Sequence, residues 1–335
     1  MTTTWTRLMT WFKRPDSPAP LAAFRVMVAT FCLVRLYIIR DSFVDLYGQY
    51  GLVQWAITKA NLYPGLPHVG DVTRLLGHLG LDTTQAIYAI LSAYLMALGA
   101  LLVGWRPRLM AALAWTINFL WMHSGGGLIY GMDFFAHIAL FYCIIMPTGD
   151  AYSVGTPGRG TPSVAAGVTR RMLQLQLCLV YLSSGLEKAA GIQWWNGEAI
   201  WRSLMLPTFQ QYDMTWIASV PPVAMVAGWA TVVLESGYAI AVWHPRTRAL
   251  WVAGIVGLHL GIGTFLGMWL FGAIMIILSL GAFGAEVIAD LRRVVVKPRW
   301  KDAGGAVQAL DSLHPHERPD ACLPGGPPRP LPGRA

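Results

Sequence analysis

Apolar residues run nearly unbroken over stretches of about 20 positions, each closed by a short polar or basic segment. The pattern predicts eight hydrophobic helices: Leu21–Ile39, about Thr84–Gly104, about Leu109–His123, about Ile129–Pro147, about Met172–Ala190, about Val220–Trp243, about Ala249–Thr264 and Leu266–Phe283. Runs of this length match the roughly 30 Å hydrocarbon core of a bilayer, the third and seventh being short. Two intervening segments are longer and mix polar with apolar residues. Asp41–Asp82 and Gln193–Asp213 read as interfacial helices or caps on the outer membrane face. The expected fold is therefore an all-α polytopic membrane protein with about eight transmembrane helices. Residues 1–20 form an N-terminal segment, 21–285 the membrane domain and 286–335 a largely disordered tail, rich in Pro and Gly after Trp300.

Composition supports this class. Of 335 residues, 55% are hydrophobic and 13% charged, against roughly 25% charged in soluble domains. Mean hydropathy is +0.48. The net charge of +8 does not point to nucleic acid, because the basic residues are spread over short loops. With the N-terminus inside, inner segments carry Arg7, Lys13, Arg14, Arg106, Arg108, Arg159, Arg170, Arg171, Arg246, Arg248 and the basic run Arg292–Lys301. Outer loops carry Arg40, Lys59, Arg74 and Arg202. That asymmetry favours an even number of crossings in the inner (plasma) membrane, with both termini cytoplasmic. The N-terminus lacks the shape of a cleavable signal peptide. Cys32, Cys143, Cys178 and Cys322 show neither pairing nor metal spacing.

Ionisable residues within the runs are the candidate chemistry, because hydrocarbon penalises them. Gln174, Tyr181, Ser184 and Lys188 fall on one face of the fifth helix. Lys188 is either a surface anchor that snorkels out or a base in a dry site. Asp133 and His137 lie four apart, as an ion pair or as a carboxylate orienting an imidazole. Glu235 and His259 are mid-span. Arg25 is placed to snorkel or to bind lipid phosphate, and Arg35 lies nearer the outer end. An outward-opening site would collect Asp133, Lys188 and His259.

These stretches also carry a resemblance. LAAFR (Leu21–Arg25), LIYGMDFF, MPTGDAYSVG, YLSSGLEKAAGIQWWNG (Tyr181–Gly197), LESGYAI and LHLGIGTFLGMWLF occur in that order. The ordered set is similar to the vitamin K-dependent γ-glutamyl carboxylase family and its bacterial HTTM-domain relatives. The resemblance implies a reduced quinone of vitamin K or menaquinone type, O2 and CO2 as cofactors. It places Lys188 at the family's base and His259 at its late-helix histidine. Glu187 stands where the animal carboxylase has a second lysine, and Gly125 and Gly126 stand where it has Asn-His. The carboxylase's large lumenal domain has no counterpart in the short segment after Phe283.

Three functions follow as expectations. The first is quinol-dependent carboxylation or oxidation of a peptide or small acid, with Lys188 as base and His259, Asp133 and His137 in support. The second is a peptide-maturation or export component similar to sporulation-delaying-protein B relatives, working with a soluble partner protein. The third is a lipid-binding or transport module. Tyr181, Ser184, Glu187, Gln174, Glu235 and Arg25 are expected as pocket or structural polar groups, with membrane lipid or quinone as partners and no metal.

Overall fold

The computed structural model describes residues 2–61, 65–125 and 129–311, with side chains described from Thr4 to Arg293 within those bounds. Among them the chain is helical throughout, apart from turns and isolated bridges such as Asp16 to Ser163. In chain order the α-helices are α1 (Thr2–Phe12), α2 (Ala19–Ile39), α3 (Phe43–Tyr47), α4 (Trp55–Ala60), α5 (Val69–Gly77), α6 (Thr83–Val103) and α7 (Pro107–Ser124). They continue as α8 (Gly131–Ile145), α9 (Val164–Ala190), α10 (Ile192–Trp195), α11 (Glu198–Met205), α12 (Pro221–Ala241), α13 (Arg248–Leu266) and α14 (Trp269–Asp311).

Five stretches are helical, long and apolar enough to cross a membrane: Ala19–Tyr47, Thr83–Val103, Pro221–Ala241, Arg248–Leu266 and Trp269–Arg293. The shorter α8 is also apolar. Local chemistry sets several boundaries. Asp82 accepts from the Gln85 backbone N–H while Gln85 bonds back, which caps α6 at both orphan donors. Gly104 ends α6 in the left-handed region. Ser163 caps α9 through the Ala166 N–H. α9 thus starts eight residues before the apolar run at Met172, because the cap and Thr169, Arg170 and Arg171 extend the helix through polar sequence.

A compact unit runs to Asp290 and a second unit covers 291–335. α14 stays helical to Asp311, beyond the Trp300 at which the sequence alone predicts loss of order. Residues 301–311 contain no proline and several good helix formers. Cys322, the Pro/Gly-rich end and Gly126 lie outside the described residues.

Within the first unit α9 packs chiefly on α12, α7 on both α6 and α8, and α2 on α6. The long helices turn large apolar side chains outward. Leu179 and Leu186 on α9 point outward at 65% and 56% exposure, while Tyr181 is 2% exposed. Val226, Val233 and Ile240 do the same on α12. A soluble protein would bury such faces, whereas a bilayer solvates them.

Candidate functional site

The site begins with a glycine. Gly185 lies where α9 meets α12, and a Cβ there would strike the backbone nitrogen and hydroxyl of Ser236. This close approach brings the next turn of α9 beside Glu235. Lys188 Nζ donates to Glu235 Oε2 at 2.7 Å and to Ser184 Oγ at 2.5 Å. The ammonium also lies 5.3 Å from the centroid of the Trp194 ring, a cation–π contact. Trp194 is fixed by the short helices that follow α9. Trp195 Nε1 donates to Ala189 O, Trp229 Nε1 donates to Trp195 O, and a Cβ on Gly228 would run into Trp194 O. Gly197 turns the chain at φ +83°, a conformation that suits glycine. α11 then folds back against α12.

Lys188, Glu235, Ser184 and Trp194 line a cavity of about 810 Å³ shared by α9, α11, α12, α13 and the start of α14. Its walls are chiefly apolar, with Val223, Ala227, Leu258, Phe265 and Phe271 among them. A second polar group lies farther along. Tyr181 Oη is 2.9 Å from His259 Nε2 and 3.4 Å from Ser279 Oγ, and the Ser279 hydroxyl donates to Met275 O. His259 Nδ1 is buried with no hydrogen-bond partner, although the residue lines the cavity. Tyr181 and Lys188 are two helical turns apart, about 10 Å along α9. The chamber therefore presents an ion pair at one level and the Tyr181–His259 pair, backed by Ser279, at another, within chiefly apolar walls.

Of the expected stripe, Tyr181, Ser184 and Lys188 face this cavity. Gln174 does not. It is bound at the far end of α9 to Ala282 O and Glu286 Oε1, both at 2.8 Å. Glu187 is exposed and makes no ion pair among the described residues, so the carboxylate that governs Lys188 comes from α12. Glu235 and His259 join the site from separate helices.

Asp133 and His137 do not pair with each other, and they lie apart from the cavity. Asp133 is bound to Arg35 and accepts from the Tyr130 backbone N–H at 3.1 Å. The buried Arg35 guanidinium is the stronger demand on that carboxylate. It also donates to Tyr47 Oη (3.1 Å) and Asn118 Oδ1 (3.3 Å). His137 stacks on Trp115 with ring centroids 4.5 Å apart and meets Asn118 Nδ2 at 3.3 Å. An outward site collecting Asp133 with Lys188 and His259 is thus corrected to two separate polar networks. Arg25 neither snorkels nor reaches lipid: fully buried, it donates to Thr148 O, Tyr152 O and Ser153 Oγ and ties α2 to the loop after α8.

Trp194 and Ser279 were not singled out from the sequence as site residues. Ser279 was legible only as a lone hydroxyl in an apolar run, and Trp194 as one of several interfacial rings. Among the described residues no cluster of three or more His, Cys, Asp or Glu could hold a metal ion. Cys32, Cys143 and Cys178 are buried and free. No protein-family model, curated protein or solved structure matches the chain.

Proposed function

We propose that the chain crosses the inner membrane eight times, with both termini cytoplasmic, and that its large cavity binds a reduced quinone whose hydroxyl proton is taken at Lys188. In this reading it is a carboxylase-like HTTM protein acting on a peptide or small acid. The crossings are α2, α6, α7, α8, α9, α12, α13 and α14. The observation that carries the functional part is the Lys188–Glu235 pair inside a chiefly apolar chamber. Ion pairs in hydrocarbon are costly, and they mark function when they face a cavity.

The residues fit a quinone. Apolar walls accept a ring and an isoprenoid tail, Trp194 and Phe271 offer aromatic faces, and His259 Nδ1 is a buried polar atom lacking a partner. When bound, a reduced quinone supplies reducing equivalents and, with O2, the strong base that carboxylation with CO2 requires. The chain's part is proton handling. Lys188 is a base only after its ammonium proton moves to Glu235, 2.7 Å away. Nζ then accepts a ligand hydroxyl proton, with Ser184 holding its orientation.

The test is retention of quinone by purified protein. Solvent extraction and mass spectrometry are expected to find it with wild type and not with Lys188→Ala, while both variants elute as the same folded species. Equal retention sinks the role of Lys188. A second reading, a lipid carrier, is favoured by the apolar wall around Val223, Ala227 and Phe265. It predicts phospholipid in the cavity and transport that is indifferent to Lys188.

A further inference from the structure

We propose that a second cavity, at the opposite end of α9, binds the phosphate of an anionic phospholipid. Arg171 and Lys188 are 17 residues apart on one helix, about 26 Å along its axis. That is close to the thickness of the hydrocarbon core, so the two ends of α9 lie at opposite interfaces. At the Arg171 end is a cavity of about 390 Å³ bounded by the chain after α1, the first turns of α9, Trp243 and Arg248, and Phe283 and Glu286 of α14.

Its charges do not cancel. Arg170 binds Asp16 and both oxygens of Glu286, and Arg248 binds Asp290. Arg171 gains only carbonyls, donating through Nη1 to Phe12 O (3.2 Å) and Arg14 O (2.9 Å). Its guanidinium lies 5.2 Å from the Trp11 ring centroid. Among the described residues Arg14, which is exposed, has no carboxylate partner, and Arg170 Nε is buried without an acceptor. Among the described residues around the cavity, four arginines therefore meet three carboxylates, and the excess falls on Arg14 and Arg171. An anion held between them would take the free N–H groups of both, in the fork geometry that guanidinium offers to phosphate.

The surroundings select a lipid over a soluble anion. α1 exposes Trp5, Leu8 and Trp11 beside Arg7, Lys13 and Arg14, the pattern of a helix lying in the interface. Trp11 and Trp243 meet edge-on at 5.6 Å, and Trp243 in turn meets Phe283. This gives the cavity an apolar rim for acyl chains next to a basic interior. Basic pockets of this kind between membrane helices suit acidic headgroups.

Native mass spectrometry of the full chain, stripped of lipid and re-supplied with phosphatidylglycerol or phosphatidylcholine, tests the site. The expected result is one tightly held phosphatidylglycerol, little phosphatidylcholine, and no displacement by excess inorganic phosphate. R14Q with R171Q is expected to weaken retention by about tenfold or more, the loss of at least one charge-assisted hydrogen bond. The Arg14 side chain is exposed and has no hydrogen-bond partner among the described residues, so Arg14→Gln alone reports on binding with the fold intact, and it is expected to weaken retention as well. The proposal is overturned if Arg14→Gln and the double variant hold phosphatidylglycerol as wild type does. Equal retention of phosphatidylcholine, or efficient displacement by inorganic phosphate, overturns it too. The Lys188 cavity plays no part in these outcomes.

Discussion

Removing one partner of the Lys188–Glu235 pair separates a buried ion pair from a surface anchor. The Glu235 side chain is 8% exposed and that of Lys188 21%. Lys188→Met keeps the length of the stem and leaves Glu235 without its cation. Loss of one partner from a buried pair costs about 3–5 kcal/mol, which at about 2–4 °C per kcal/mol lowers the melting temperature by about 10 °C. Glu235→Leu is expected to cost less, about 1–3 kcal/mol, because the Lys188 stem is flexible enough to carry its charge toward the interface. The double variant Lys188→Met/Glu235→Leu removes both charges and is expected to regain most of the loss. Unfolding in detergent is readable through Cys32, Cys143 and Cys178, which are buried and free and label with a thiol dye only when the bundle opens. If the two single effects simply add within about 0.5 kcal/mol, or if neither variant moves the transition, Lys188 is a solvated anchor and the proton-transfer reading falls with it.

Other expectations follow from separate parts of the fold. Asp133→Ala leaves Arg35 buried without its carboxylate and is expected to cost about 3–5 kcal/mol, seen as a lower midpoint in the same thiol assay. Gly185→Ala forces α9 away from Ser236 and is expected to cost about 1–3 kcal/mol through overpacking. Gly99→Ala meets nothing within 4 Å and is expected to stabilise by about 0.5–1 kcal/mol; the reverse order would refute the packing argument. His68, just before α5, is held neutral. Burial first, and then Lys59, lower its pKa to about 4 from 6.5. Nδ1 accepts from the Gly70 N–H and Nε2 bonds Thr58 Oγ1, each at 2.9 Å, which leaves no acceptor for a second proton. The unfolded chain takes that proton near pH 6.5 and the folded chain only near pH 4. Stability is therefore level above about pH 6.5 and falls toward pH 4, by at most about 1.4 kcal/mol per unit. His68→Gln is expected to flatten that slope.

Much of this was legible in the sequence because it lies along single helices. The apolar runs locate most of the long helices to within a few residues, except the start of α9 and the end of α14, which continue through polar sequence, and the spacing of Tyr181, Ser184 and Lys188 places them on one face. Periodicity carries no information about which helix lies opposite. The choice of Glu235 over Glu187 as partner for Lys188 depends on Gly185 admitting α12, and Arg35 finds Asp133 across 98 residues of sequence. The Asp133–His137 spacing suggested a local pair that a nearer, more demanding cation pre-empts. Gln174 fits the stripe by spacing, yet α9 is long enough to carry it to the other end of the molecule. Arg25 reads as an interfacial arginine until the Thr148–Ser153 loop supplies its acceptors.

The most direct measurement is a structure of the protein in lipid nanodiscs supplied with a menaquinone-type quinol. The account predicts ring density in the cavity of α9, α12, α13 and α14, with a ring oxygen about 3 Å from Lys188 Nζ. A cavity filled only by acyl chains, or a quinol bound elsewhere with Lys188 still paired to Glu235, would contradict it.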